Sequence, residues 1–255
     1  MKRGARVLVA GIVVVLLAAT AFGQSMVWET KIVSNGQEML TQTYYIPKKL
    51  KTVSNADGDF TVIRIDQEKI YTVKVKDKTY SVTTFAELEQ MGKKMNAQMD
   101  QLQEQMKNMP AEQRKMMEKM LGGKTPGSQK ESKIDVVKTG EKKSISGFAC
   151  TRYSVKRDGQ EEVSLWVTQD VRGFSAMRQD MLEQTKRMAA MTPSGLKGLS
   201  EAMMKVDGFP IVTEMGTMMK STVTKIEMKA VAASEFEMPA GYTKVENEGL
   251  KNMGK

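Results

Sequence analysis

The sequence predicts an α+β fold: a curved antiparallel β-sheet, half of a barrel, with methionine-rich amphipathic helices packed across its concave face. Three observations carry this. Two regions alternate apolar and polar residues with period two and are broken by Asn-Gly and Asp-Gly pairs, the pattern of hairpin-linked strands. Between them, Thr84 to Leu121 carries apolar residues every third or fourth position, the period of a helix. One face of such a sheet would leave Trp28, Tyr71, Val73 and Leu165 in water, and the helical stripes are the unclaimed apolar surfaces of matching size.

Met1 to Gly23 has Lys2, Arg3 and Arg6, an apolar run from Val7 to Ala19, and the small-x-small site Ala21-Phe22-Gly23. This is the layout of a cleaved secretory signal peptide, and the run is short for a membrane span. No cysteine follows the site, so the expectation is a chain from Gln24 to Lys255 in the periplasm or outside the cell, with no lipid anchor and no integral membrane segment. The leader removes three of the 39 basic residues and none of the 30 acidic ones, which leaves a mildly basic chain. Its cations are scattered among carboxylates rather than clustered with aromatic residues, so nucleic acid is not an expected partner. Residues 24–255 read as a single domain with a helical insert over 84–121 and a flexible linker over 122–132.

The first β region reads as Met26 to Val33, Met39 to Ile46, Phe60 to Ile65, Ile70 to Val75 and Thr79 to Val82, five or six strands in a meander. Thr84 with Glu87 is a capping box, and Leu88, Met91, Met95, Met99, Leu102, Met106 and Met109 form one stripe. Pro110 divides this segment into a helix to about Asn108 and a second from Pro110 to Leu121. Strands resume at Ile134 to Lys138, Phe148 to Val155 and Glu162 to Val167. Helical periodicity covers Asp170 to Thr192 and Leu196 to Met204, and strands Ile211 to Met215 and Met218 to Met228 close the pattern, giving nine to eleven strands in all.

Cys150 is the single cysteine and histidine is absent, so an intramolecular disulfide, a His-ligated metal and a Ser-His or Cys-His nucleophile are excluded. Cys150 lies in an apolar alternating stretch and reads as a buried thiol. The acidic pairs Glu161-Glu162 and Glu235 with Glu237 have no nameable partners, and the glycine pairs lack phosphate-loop spacing. The expectation is a protein without catalytic residues or cofactor.

Several short stretches carry a resemblance. Ile65-Asp66, Ile70-Tyr71, Lys78-Thr79-Tyr80, the run Gly147 to Tyr153, Trp166-Val167-Thr168 and the closing Phe236-Glu237-Met238-Pro239-Ala240-Gly241-Tyr242 resemble a bacterial exported Domain of Unknown Function family (forty-four twelve), whose members often carry methionine-rich inserts. Such proteins are similar in layout to the periplasmic lipoprotein carriers LolA and LolB, which implies a curved sheet around an apolar cavity lidded by helices and brings no activity with it.

All but one of the 23 methionines follow the leader, most of them in the helical stretches. Flexible thioethers fill irregular cores, and they equally line cavities that repack around varied apolar ligands. The second reading makes Trp28, Tyr71, Met91, Met95, Met99, Leu102, Met106, Met177 and Met181 the lining of a cavity for a lipid, an acyl chain or a lipoprotein segment. Two alternatives stay open. Met91, Met95 and Met99 at i, i+4 and i+8 could hold Cu(I) by soft thioether ligation, or the protein could be solid-cored and act in envelope assembly by surface contact. A sacrificial sink for oxidants is a further use of the same residues.

Overall fold

Strand β1 (Met26–Ser34) turns through Asn35 and Gly36 into β2 (Gln37–Ile46), and both turn residues have positive φ, as the tight hairpin turn requires. The chain continues as a meander through β3 (Lys49–Ser54), β4 (Phe60–Arg64), β5 (Lys69–Lys74) and β6 (Thr79–Thr84). Helix α1 (Phe85–Lys107) follows, and then a second run of strands: β7 (Ile134–Ile145), β8 (Phe148–Arg157) and β9 (Gln160–Thr168). Helices α2 (Phe174–Arg187) and α3 (Ser194–Lys205) precede β10 (Phe209–Met215) and β11 (Met219–Glu227), and β12 (Thr243–Lys244) lies near the end. This computed structural model describes residues 25–110, 112–113, 133–188 and 194–247. The leader, most of the helix read from Pro110 to Leu121 and the linker lie outside them.

Among the described residues, all twelve strands belong to one open sheet in the order β12-β6-β5-β4-β3-β2-β1-β11-β10-β9-β8-β7. The two meanders therefore meet at the centre, where β1 pairs with β11 in antiparallel register and a bulge falls between Glu29 and Thr30. Among the described strands only β12 is parallel to its neighbour, β6. The expectation of nine to eleven strands falls one short. β3 is masked in the sequence by Lys48, Lys49 and Lys51, whose charges hide the alternation, and β12 is two residues long. The strand expected over Ile134 to Lys138 also runs on to Ile145, through a register shift between Lys138 and Lys142.

Register sorts the side chains onto two faces. Trp28 lies opposite Thr43, and the row continues through Thr52, Thr61, Thr72 and Ser81. The adjacent row runs Val27, Tyr44, Lys51, Val62, Tyr71 and Val82, on the other face. Two hydrophobic clusters form the core among the described residues. One joins Met26, Tyr45, Phe209, Ile211 and Val223 of the central strands to Met177 of α2. The other joins Val155, Val163, Leu165 and Val167 of β8 and β9 to Leu199 and Ala202 of α3.

Helix α1 begins as its capping box dictates: Thr84 Oγ1 accepts from the Glu87 amide at 3.1 Å, and Glu87 Oε2 accepts from the Thr84 amide at 2.6 Å. Phe85, Leu88 and Met106 along it are buried. The expected boundary at Asn108 coincides with the C-cap.

A methionine-lined cleft between the sheet and two helices

Helix α2 crosses the sheet face that carries Trp28. Two ties hold it there: Asp180 Oδ2 accepts from the Tyr45 hydroxyl at 2.8 Å and from the Lys48 amide at 2.6 Å, and Arg187 pairs with Glu68 in the turn after β4. Burial and then the nearby Asp180 carboxylate push the Tyr45 hydroxyl well above the usual phenol range, so it remains a donor to Asp180. At the start of the helix, the Phe174 and Phe209 rings meet edge to face at 5.4 Å, and Phe209 meets Trp28 in the same way at 5.9 Å. Helix α3 then packs alongside over β7, β8 and β9.

Between the helices and the sheet lies a cleft of about 260 Å³. Its floor is Trp28, Thr30, Leu165, Val167, Thr213 and Val223, and its roof is Phe174, Met177 and Met181 of α2 with Met203 and Met204 of α3. Gly208 closes one end. Its φ is +118°, and a Cβ there would stand 2.8 Å from the Thr168 carbonyl oxygen, so glycine alone lets the chain turn so close to β9. Pro210 follows, and the pairing of β10 with β9 shifts register between Pro210 and Val212. Arg178 reaches across the mouth of the cleft, donating to the Met204 carbonyl at 2.8 Å and to Asp207 Oδ1 at 3.1 Å.

Trp28, Met177 and Met181 are thus brought together on one cleft. Tyr71 is not: it sits on the opposite face beside Tyr80, with ring centroids 6.5 Å apart, and Val73 shares that face. The correction has a simple origin, since an odd number of register steps separates the Tyr71 row from the Trp28 row and apolarity alone does not reveal the parity. Met91, Met95, Leu102 and Met106 do not line this cleft. Met91, Met95 and Leu102 are half-buried on α1 and Met106 is buried, while the Met99 side chain lies outside the described residues. Phe174, Met203, Phe209 and Arg178 line the cleft although the periodicity assigned them no such place. The available signal was an aromatic residue in the first turn of one expected helix, Phe174, and another just after the next, Phe209.

Among the described residues no group of three or more Asp, Glu, Cys or His is placed to hold a metal ion, and no helix is long and apolar enough to cross a membrane. Cys150 is buried, and burial pushes its thiol up from the ordinary range.

Solved structures similar to this chain share little sequence with it. An uncharacterized conserved protein from Thermus thermophilus is similar over 88% of this chain and 91% of its own, at 8% identity and a TM-score of 0.45. MucB is similar over 88% of this chain and 61% of its own, at 9% identity and a TM-score of 0.43. In the Pseudomonas aeruginosa MucA/MucB complex the matched chain gives 9% identity and a TM-score of 0.41, over 86% of this chain and 57% of that one. No protein of curated function matches the sequence. A family model does match, over residues 85–242, more than half of the chain, and with it the protein belongs to the family described as domain of unknown function (DUF4412).

Proposed function

We propose that this is an exported, non-catalytic binding protein that takes an apolar ligand, an acyl chain or the lipidated end of another protein, between its sheet and its helices. One observation carries the reading: the cleft under α2 and α3 is lined by Trp28, two phenylalanines and four methionines, side chains that can repack around chains of differing shape. The leader-like residues Met1 to Gly23 support export. In this reading helix α1, on which Leu88 and Met106 are buried, completes the lid.

The solid-cored alternative has one observation in its favour. At about 260 Å³ the cleft lies just under the ~300 Å³ at which ligand pockets begin, so a carrier must part its helices to admit more than a single tail. Binding separates the two. Protein purified from its native host is extracted and its lipids read by mass spectrometry, and uptake of a fluorescent fatty acid is titrated against wild type and a Met177→Asp variant. A carrier retains lipid, takes up the probe and loses uptake in the variant, because a carboxylate in the roof must be desolvated against the tail. No lipid and no uptake by wild type would sink the reading. Uptake of Cu(I) lost on Met91→Leu with Met95→Leu would instead favour the metal alternative.

A further inference from the structure

We infer that the ligand is anionic at one end: a single-chain amphiphile whose tail enters the cleft and whose carboxylate or phosphate head rests between α2 and α3. This rests on the carrier reading above and assigns the chemistry of its ligand. On the outer side of the helix pair is a groove of about 550 Å³. Among the described residues its cations are Arg178 and Lys186 from α2 and Lys197 and Lys205 from α3, and its carboxylate is Glu201. The spacing makes these facing stripes: 178 and 186 lie eight residues apart on α2, as do 197 and 205 on α3, so each pair falls on one side of its helix.

The three lysines are available. Among the described residues, Lys186, Lys197 and Lys205 have no carboxylate within ion-pair distance, and all three are exposed. Elsewhere on this surface the rule is pairing: Lys48 and Arg187 find Glu183, and Arg187 also finds Glu68. Arg178 differs from the lysines in being fixed. Two acceptors, the Met204 carbonyl and Asp207, hold its guanidinium, and its remaining donors are free to meet an oxyanion.

The groove also adjoins the apolar cleft. Arg178 and Met204 line both, so the fixed guanidinium stands at the junction between a cationic rim and a thioether-lined interior. Leu182 and Met204 keep the groove floor apolar beneath the charges. A neutral amphiphile would leave the lysines as they are, and a cationic one would be repelled. An anionic one gains attraction at its head and burial along its tail.

Three twelve-carbon probes below their micelle concentrations test this by calorimetry on the mature protein: dodecanoate, monododecanoylglycerol and dodecyltrimethylammonium. Inorganic phosphate is the tail-free control. The expected result at low salt is a preference of about tenfold for dodecanoate over the neutral glyceride, the cationic probe weakest, and no binding of phosphate alone. The preference should shrink as salt is raised. In the triple variant Lys186→Gln, Lys197→Gln, Lys205→Gln the preference should vanish while glyceride affinity and the thermal midpoint stay unchanged, since all three side chains are exposed. Equal affinity for dodecanoate and the glyceride would overturn the anionic assignment and leave the carrier reading intact. Phosphate bound as tightly as dodecanoate would overturn it in favour of a simple anion site. Failure of all three probes would bring down the carrier reading and this inference with it.

Discussion

At the scale of single residues, Thr84 and Glu87 decide where the longest helix begins. Four amide groups at a helix start lack partners within the helix, and here a hydroxyl and a carboxylate supply two of them reciprocally. The Thr84 amide, and after it the Thr84 hydroxyl, hold the Glu87 carboxylate below its usual range. A depressed carboxylate stabilises the fold above its ordinary pKa, and that contribution is lost as pH falls through the lowered value. Thr84→Ala should therefore destabilise the protein by about 1 kcal/mol in urea titration at neutral pH. Glu87→Gln should flatten the part of the acid response that belongs to the first turn, read as amide exchange over the first residues of α1. An unchanged midpoint for Thr84→Ala would mean that tertiary packing, not the cap, sets this boundary.

At the scale of elements, the segment after β11 behaves as a strap over the face opposite the cleft. A 3₁₀ turn (Ala233–Phe236) lies against β3, Phe236 is 1% exposed, Glu235 pairs with Lys51 at 3.0 Å, and Glu237 pairs with Arg64 at 3.0 Å. Beyond it, β12 covers the β6 edge, with the Thr243 and Val245 amides donating to the Lys78 and Tyr80 carbonyls. Phe236→Ala should cost about 3–5 kcal/mol in stability, the loss expected for a fully buried phenylalanine. Glu237→Gln should change stability by less than about 1 kcal/mol, because its carboxylate is largely exposed and Arg64 keeps two hydrogen bonds to Asp66. Chemical denaturation of the two variants checks both. Equal effects would show that charge rather than burial fastens the strap.

At the scale of the whole molecule, the sheet is zipped at its middle by strands nearly two hundred residues apart in sequence, β1 and β11. Each is flanked by hydrogen-bonded neighbours on both sides, while β7 ends the sheet with one neighbour. Amide exchange should accordingly be slowest over β1, β11 and β10 and fastest over the outward-facing amides of β7, a gradient readable peptide by peptide in mass spectrometry. Protection of β7 equal to that of β1 would mean that another chain pairs with this edge in solution.

Local chemistry is what the sequence by itself determined. Asn35-Gly36 and Asp158-Gly159 specify tight turns because their backbones accept positive φ, Thr84 with Glu87 specifies a helix start, and the period of apolar residues separates strand from helix. Each depends on neighbours a few residues away. Pattern reading failed at β3, where the apolar stems of Lys49 and Lys51 take strand positions that their charges disguise: the Lys51 ammonium lies 4.6 Å from the centre of the Phe60 ring. Only the tertiary structure decided which apolar residues meet. Trp28 and Tyr71 look alike in the sequence, yet the register accumulated across five strands sends them to opposite faces. Met177 and Met181 reach Trp28 because the distant pairing of β1 with β11 puts β10, Phe209 and α2 over the same face, a juxtaposition no local pattern encodes.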